Sequence, residues 1–227
     1  MKLLAFDTAT PATVVALLDA NNDVSEDRHV PSPGERPGHA SQLLPLAAGL
    51  LERAGLSFAD LDRIAVGTGP GTFTGLRIGV STARALAQAS GAQLVGVSTL
   101  RVLAEAVMAE ADGPVMSVLD ARRGEAFVAA YDGDDEVVTP AAVTPEILAG
   151  VGRPGWLAVG DGAVRFRAVL EPSGAVVPAD GSPLHSVNAT ALARLGERAP
   201  DPGREGVTPD YLRLPDAEIA LRNRQGP

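Results

Sequence analysis

The sequence predicts an α/β protein made of two duplicated domains, each a mixed sheet flanked by helices, and three observations predict it. Strand-like apolar runs alternate with stretches of helical spacing along most of the 227 residues, the pattern that builds layered α/β folds. The stretch "MSVLDARRGEAFVAAYD" (116–132) lies over "LLAFDTATPATVVALLD" (3–19) without a gap, so that Asp120 falls on Asp7, Gly124 on Pro11 and Asp132 on Asp19. Further on, "LAVGDG" (157–162) echoes "IAVGTG" (64–69), each an apolar strand breaking into a Gly-X-Gly turn before a helix. Repetition of a strand and turn pattern at this scale marks a duplicated unit.

The elements follow in order. Residues 3–6 and 14–18 are two apolar strands separated by a Thr/Pro turn, an opening β-hairpin. Residues 21–38, rich in Pro, Asp and Glu, read as an irregular or edge stretch. "SQLLPLAAGLLERA" (41–54) has helical apolar spacing with Gly55 as its stop, and Pro45 must lie near its first turn or kink it. Residues 64–67 form a short buried strand that runs into a glycine-rich loop, and 74–90 is the helix after it. "AQLVGVS" is the next strand and 99–111 the next helix, so the domains are expected to divide near 98–100, as 1–99 and 100–227. Residues 200–227, rich in Pro and Arg, are expected to be a terminal arm with a disordered end.

Composition narrows the function classes. With 45% apolar and only 4% aromatic residues, the core must be packed from small side chains. The chain has no Cys, which removes disulfides and thiolate metal sites. The first apolar run ends at Asp7, too short for a signal peptide, and no stretch of about 20 apolar residues is present to cross a bilayer. A cytoplasmic location is therefore expected. A net charge of -9 argues against a large self-sufficient nucleic-acid surface, which rests on Lys and Arg neutralising phosphates.

The loop "VGTGPGTFTGLRIGVSTARALA" (66–87) is the leading chemical motif. A glycine-rich turn feeding a helix N-terminus suits an anion, and Gly69, Gly71 and Thr72 are the candidates to touch one. Neither nucleotide motif is met, however. The P-loop lysine is absent, and after Gly67 and Gly69 the third glycine of a dinucleotide fingerprint comes one place early, at Gly71. Gly75, Gly79, Ala83 and Ala87 make a smooth ridge along the helix, against which either the domain's own sheet or another backbone could pack. In the preceding helix, Leu43, Leu44, Leu46, Ala47, Ala48, Leu50, Leu51 and Ala54 cover an arc of roughly 200°, beyond the ~100° that a surface helix needs for its own core. The excess implies a second buried contact, within the chain or with a partner.

Asp7 and Asp120 end equivalent strands. They are expected either to face each other over a cleft, where paired carboxylates hold a metal or act as acid and base, or simply to cap their own turns. "DARRGEAF" is a hairpin with two arginines at its tip, suited to an anion or a protein. His29, His39 and His185 show no paired metal-site spacing, so no histidine metal centre is expected.

"LLAFDTAT", "HASQLLPL", "GTGPGTFTGLRIGVSTARALA", "GVSTL", "DARRGEAF" and the late "PDYLR" occur in the order found in the TsaB (YeaZ) family, which the chain resembles over nearly its whole length. The resemblance implies two domains of the actin, Hsp70 and sugar-kinase (ribonuclease H-like) type. It implies a role in making threonylcarbamoyladenosine beside the anticodon of tRNAs that read codons starting with A. The chain would be a non-catalytic scaffold that pairs with its catalytic paralogue TsaD, with the ATPase TsaE docking on the pair. It would take no cofactor and would meet tRNA only through the complex, while a homodimer in TsaD's absence is left open.

TsaD follows its equivalent strand with metal-binding histidines, whereas "GVSTLRVLAE" (96–105) has none, so Asp7 and Asp120 are expected to be vestigial. The family's dimer contact maps onto His39, Leu43, Leu46, Leu50, Leu76, Val80 and Arg84. The alternative is an autonomous sugar-kinase-like phosphotransferase using Asp7 and Asp120 with magnesium. Against it, the turn "DTATPAT" has no glycine to let a phosphate approach the backbone. A metallopeptidase, a third reading, would need the paired histidines that are missing.

Overall fold

A computed structural model of the chain describes residues 1–32, 34–200 and 206–213. The expected terminal arm therefore lies outside the described residues except for 200 and 206–213. The first half forms β1 (Leu3–Asp7), β2 (Thr13–Leu18), β3 (Val24–His29), α1 (His39–Arg53), β4 (Arg63–Gly69), α2 (Phe73–Ser90), β5 (Gln93–Ser98) and α3 (Thr99–Glu105). The second forms β6 (Val115–Arg122), β7 (Glu125–Asp132), β8 (Asp135–Val143), α4 (Pro145–Val151), β9 (Leu157–Val159), α5 (Asp161–Arg165), α6 (Arg167–Leu170) and α7 (Ala189–Arg198).

The duplication is visible in the strand order. The first sheet runs β3-β2-β1-β4-β5 and the second β8-β7-β6-β9. In each, an antiparallel hairpin joins a strand that pairs parallel on its other side, β1 with β4 and β6 with β9. This order, with its one antiparallel meander, is the ribonuclease H-like arrangement. The stretch after the first hairpin, expected as irregular or edge, contributes β3 as an edge strand. The helix expected over 99–111 is shorter. It ends at Glu105, and residues 108–110 form a separate 3-10 turn.

β1 and β2 are buried on both faces, because helices cover each side. Leu4, Phe6, Val15, Leu17, Ile64 and Val66 pack on α1 and α2. Leu3, Ala5, Val14 and Ala16 face a central layer of α3 and α7 that also receives Val115, Leu119, Phe127 and Ala129 of the second sheet. The far face of that sheet packs on Leu148, Ala163, Phe166 and Leu170.

Helix α7 thus covers the first sheet although it comes last in the chain. A Cβ on Gly196 would stand 2.3 Å from that of Ala65, so the helix lies unusually close to the strand. Arg63 of β4 donates to the carbonyls of Gly196, Glu197 and Ala199 at 2.9–3.1 Å, satisfying the end of α7. A division of the chain at residue 99 therefore separates α7 from the sheet it covers.

Candidate functional site

The glycine loop is occupied by the chain's own backbone. The Thr72 N–H donates to the Ala9 carbonyl at 2.8 Å, and the Thr8 hydroxyl donates to the Gly75 carbonyl at 2.7 Å. A Cβ on Gly71 would lie 2.3 Å from the Ala9 oxygen, and one on Gly75 would lie 1.9 Å from the Thr8 oxygen. Gly79 would meet the Thr8 hydroxyl at 2.4 Å. The glycines are thus needed because the turn between β1 and β2 presses onto the start of α2. Of the expected anion contacts, Gly71 and Thr72 form this packed junction while Gly69 lies against Leu76 and the Asp210 carbonyl, and the ridge of Gly75, Gly79, Ala83 and Ala87 is buried inside its own domain.

Asp7 lies under that junction with no exposed surface. Its Oδ1 accepts the Ala9 N–H at 2.6 Å and its Oδ2 accepts the Thr99 hydroxyl at 2.7 Å. A Cβ on Gly67 would fall 1.8 Å from Oδ2. Burial without a neighbouring cation pushes the carboxyl above the usual carboxylate range, and the two hydrogen bonds only partly offset this. Asp120 is held differently. Its carboxylate takes Arg122 at 3.3 Å and Arg165 at 3.0 Å, and it accepts the Arg122 N–H at 2.8 Å. Among the described residues no hydrogen bond joins Asp7 to Asp120, and no group of three His, Asp or Glu side chains is arranged to hold a metal.

The "DARRGEAF" stretch is a tight hairpin. Arg122 pairs with Glu125 across it, and Arg123 and Gly124 occupy the two-residue loop with φ of 51° and 83°, as a type I′ turn requires.

The expected partner contact needs correction by residue. Leu43, Leu50, Leu76 and Val80 are each at most 3% exposed and point into the chain's own core, and His39 is buried as well. These side chains cannot also face a partner in this conformation. Leu46 is half-buried against the same core. Arg84 is exposed in part, yet its Nε and Nη2 both donate to the Val207 carbonyl, at 3.1 and 2.7 Å. The apolar arc of α1 is nonetheless wider than its core face, since Leu44 is 46% exposed and Ala48 is exposed beside it. Near the start of α2, Phe73 is 38% exposed, with the Arg77 guanidinium 3.8 Å from its ring centroid.

Residues 206–213 form a strap that sequence reasoning noted only as the "PDYLR" motif. Val207 is buried against the first core. The Asp210 N–H donates to Thr68 at 2.7 Å, and Tyr211 stacks on Phe73 with ring centroids 5.4 Å apart while its hydroxyl accepts from Arg77. Arg213 then reaches the second sheet, donating to the Ala121 carbonyl at 2.9 Å and pairing with Glu125 at 3.3 Å. A second link joins α3 to the β7–β8 turn and to α7. Arg101 donates to the Gly133 carbonyl and pairs with Asp134 at 3.0 Å, and Glu105 binds both Arg101 and Arg198. These clamps edge a cleft of about 480 Å³ lined by Ser98, Arg101, Tyr131 and Glu136.

Two repeated mixed sheets around a shared helical layer, with an Asp at the end of the first strand and a glycine loop beside it, define an actin-like α/β protein. A family model described as TsaD, tRNA N6-adenosine threonylcarbamoyltransferase, matches residues 30–171. The chain is 35% identical over 191 residues to the tRNA threonylcarbamoyladenosine biosynthesis protein TsaB of Escherichia coli, a match covering 78% of each chain. It is 30% identical over 229 residues to the TsaB of Bacillus subtilis, covering 96% of each. YeaZ from Pseudomonas aeruginosa has the same fold, with a TM-score of 0.77 at 28% identity over 92% of this chain and 100% of that one. The chain belongs to the TsaB (YeaZ) family. Among the described residues no helix is long and apolar enough to cross a membrane.

Proposed function

We propose that this chain acts in tRNA threonylcarbamoyladenosine biosynthesis as a non-catalytic subunit that binds and positions TsaD. One observation carries the reading: the place beside Asp7 and the glycine loop, where an actin-like kinase would admit phosphate and metal, is filled by Thr8, Ala9 and Thr99 of the chain itself. A buried carboxyl pushed upward by desolvation, with a glycine backbone against its oxygen, has no open side for a substrate. The apolar surface left over supports a partner role. On α1 it comprises Leu44, Ala48 and the half-exposed Leu46, and at the start of α2 it comprises Phe73 with Arg77. This strip replaces Leu43, Leu50, Leu76 and Val80 as the contact we propose for TsaD.

TsaE would dock on the pair, and tRNA would be met through the complex, in keeping with the net charge of -9. The reaction would take place in the cytoplasm, and the two domains would meet near residue 99 with α7 returning to the first.

The test is light scattering after size exclusion, on the chain alone and mixed with TsaD of the same organism, followed by a tRNA threonylcarbamoylation assay with and without the chain. A one-to-one complex, with modification only when both are present, is expected. No complex, or phosphoryl transfer to a sugar by the chain alone, would overturn the reading.

A further inference from the structure

The buried His39 and the half-buried His29 meet where the edge of the first sheet joins α1. Thr13 of β2 lies opposite His29 of β3 in the antiparallel register, which puts their side chains on one face of the sheet. The Thr13 hydroxyl is 2.8 Å from Nδ1 of His39, the first residue of α1. Gly38, just before it, is near enough that a Cβ there would lie 3.5 Å from Cε1 of His29. Nδ1 of His29 and Nε2 of His39 are both buried without a hydrogen-bond partner. A neutral imidazole carries one donor and one acceptor, so each ring leaves one nitrogen unused in a dry place.

The surroundings offer no counter-charge to His39. β2 has no ionisable side chain, and on β3 Asp27 is bound to Arg53 of α1 at 3.2 Å. Glu26 of β3 turns away to Thr190 of α7, and Arg28 lines the cleft beside Pro183 and Ser186 on that same side. The segment 30–38 brings Arg36, which is exposed, and Glu35, whose carboxylate is held by the Ser32 N–H and feels the His29 charge. α1 starts without an acidic residue in its first turn and without a side-chain cap. A cation on His39 would therefore face the positive end of the helix dipole unopposed.

We propose that His39, packed beside His29, is a proton-operated latch. With the His39 ring neutral, the first turn of α1 stays closed on the β2–β3 edge, and acidification opens that end of the helix. Burial, and secondarily His29, hold the His39 imidazole below its usual range. The opened form, with an ordinary imidazole, takes up the proton first as pH falls below about 6.5, so the closed form is favoured above that pH and lost below it.

The test is amide exchange on the whole chain, corrected for the intrinsic pH dependence, together with NMR titration of the imidazoles. Protection of the Leu43 and Leu44 amides should fall severalfold between about pH 7.5 and pH 5.5 while the interior of α2 keeps its own. The doubly substituted His29→Gln/His39→Gln chain should show no such fall. His39 titrating at or above the ordinary imidazole value, or protection that does not change, would overturn the latch. If the double variant fails to fold, the wild-type titration alone decides.

Discussion

The Thr99 hydroxyl donates to Oδ2 of Asp7 at 2.7 Å, with both side chains wholly buried, so the end of the first strand is tied to the helix that leads into the second half of the chain. In a phosphotransferase of this architecture that carboxylate would look onto a substrate. Here it serves as an internal hydrogen-bond acceptor between two elements.

Asp7→Asn should therefore keep the fold and the complex. The Asp7 carboxyl is raised above its ordinary range by burial. Between the ordinary and raised values the native state holds the proton more tightly than the unfolded state, so stability falls as pH rises through that window. Asn removes this loss. Urea unfolding at about pH 7.5 should place the variant's midpoint at or above that of the wild type, with the gap narrowing as pH falls toward the ordinary carboxylate value. A large drop in stability at neutral pH would mean that the charge itself is required.

Gly75→Ala places a methyl 1.9 Å from the Thr8 carbonyl. The hairpin turn and α2 must then separate, at a cost of about 1–3 kcal/mol or more. Gly49→Ala meets only the end of Arg53, at 3.4 Å, and should gain up to about 1 kcal/mol of helix stability. Thermal melts of the two variants should move in opposite directions.

Leu43 and Leu44 are neighbours with opposite fates. Leu43→Arg buries an unpaired charge in the first core and should leave little folded protein, because such a charge costs several kcal/mol. Leu44→Arg, at a position 46% exposed, should change stability by no more than about 0.5 kcal/mol and weaken association with TsaD. Circular dichroism checks the first statement and co-elution with TsaD the second. A Leu44→Arg chain that binds normally would move the proposed contact elsewhere.

Arg84→Ala removes two donors from the Val207 carbonyl, charge-assisted hydrogen bonds that together contribute about 1.5–3 kcal/mol. The strap over residues 206–213 should then be cut by protease sooner than in the wild type, with little change in the first sheet. Tyr211→Ala should have a smaller effect of the same kind, about 0.5–1.5 kcal/mol from the lost stack on Phe73.

The sequence by itself determined the repeated hairpins, the Asp at or near the end of each first strand and the helices that follow β4 and β9. Those depend on periodicity and on residue chemistry within a few positions. The glycines of the loop announced that something approaches closely, and only the tertiary structure decided that it is the Thr8–Ala9 turn rather than a phosphate, since a glycine records the space it leaves and not what enters it. Likewise the width of the apolar arc on α1 was legible, but not which leucines fill the core, because the phase of a helix on its sheet is set by neighbours distant in sequence. Leu43 faces in and Leu44 out for that reason. The return of α7 to the first sheet, the Tyr211 strap and the meeting of His29 with His39 across Thr13 are all contacts between residues with no local signal for each other, and only folding brings them together.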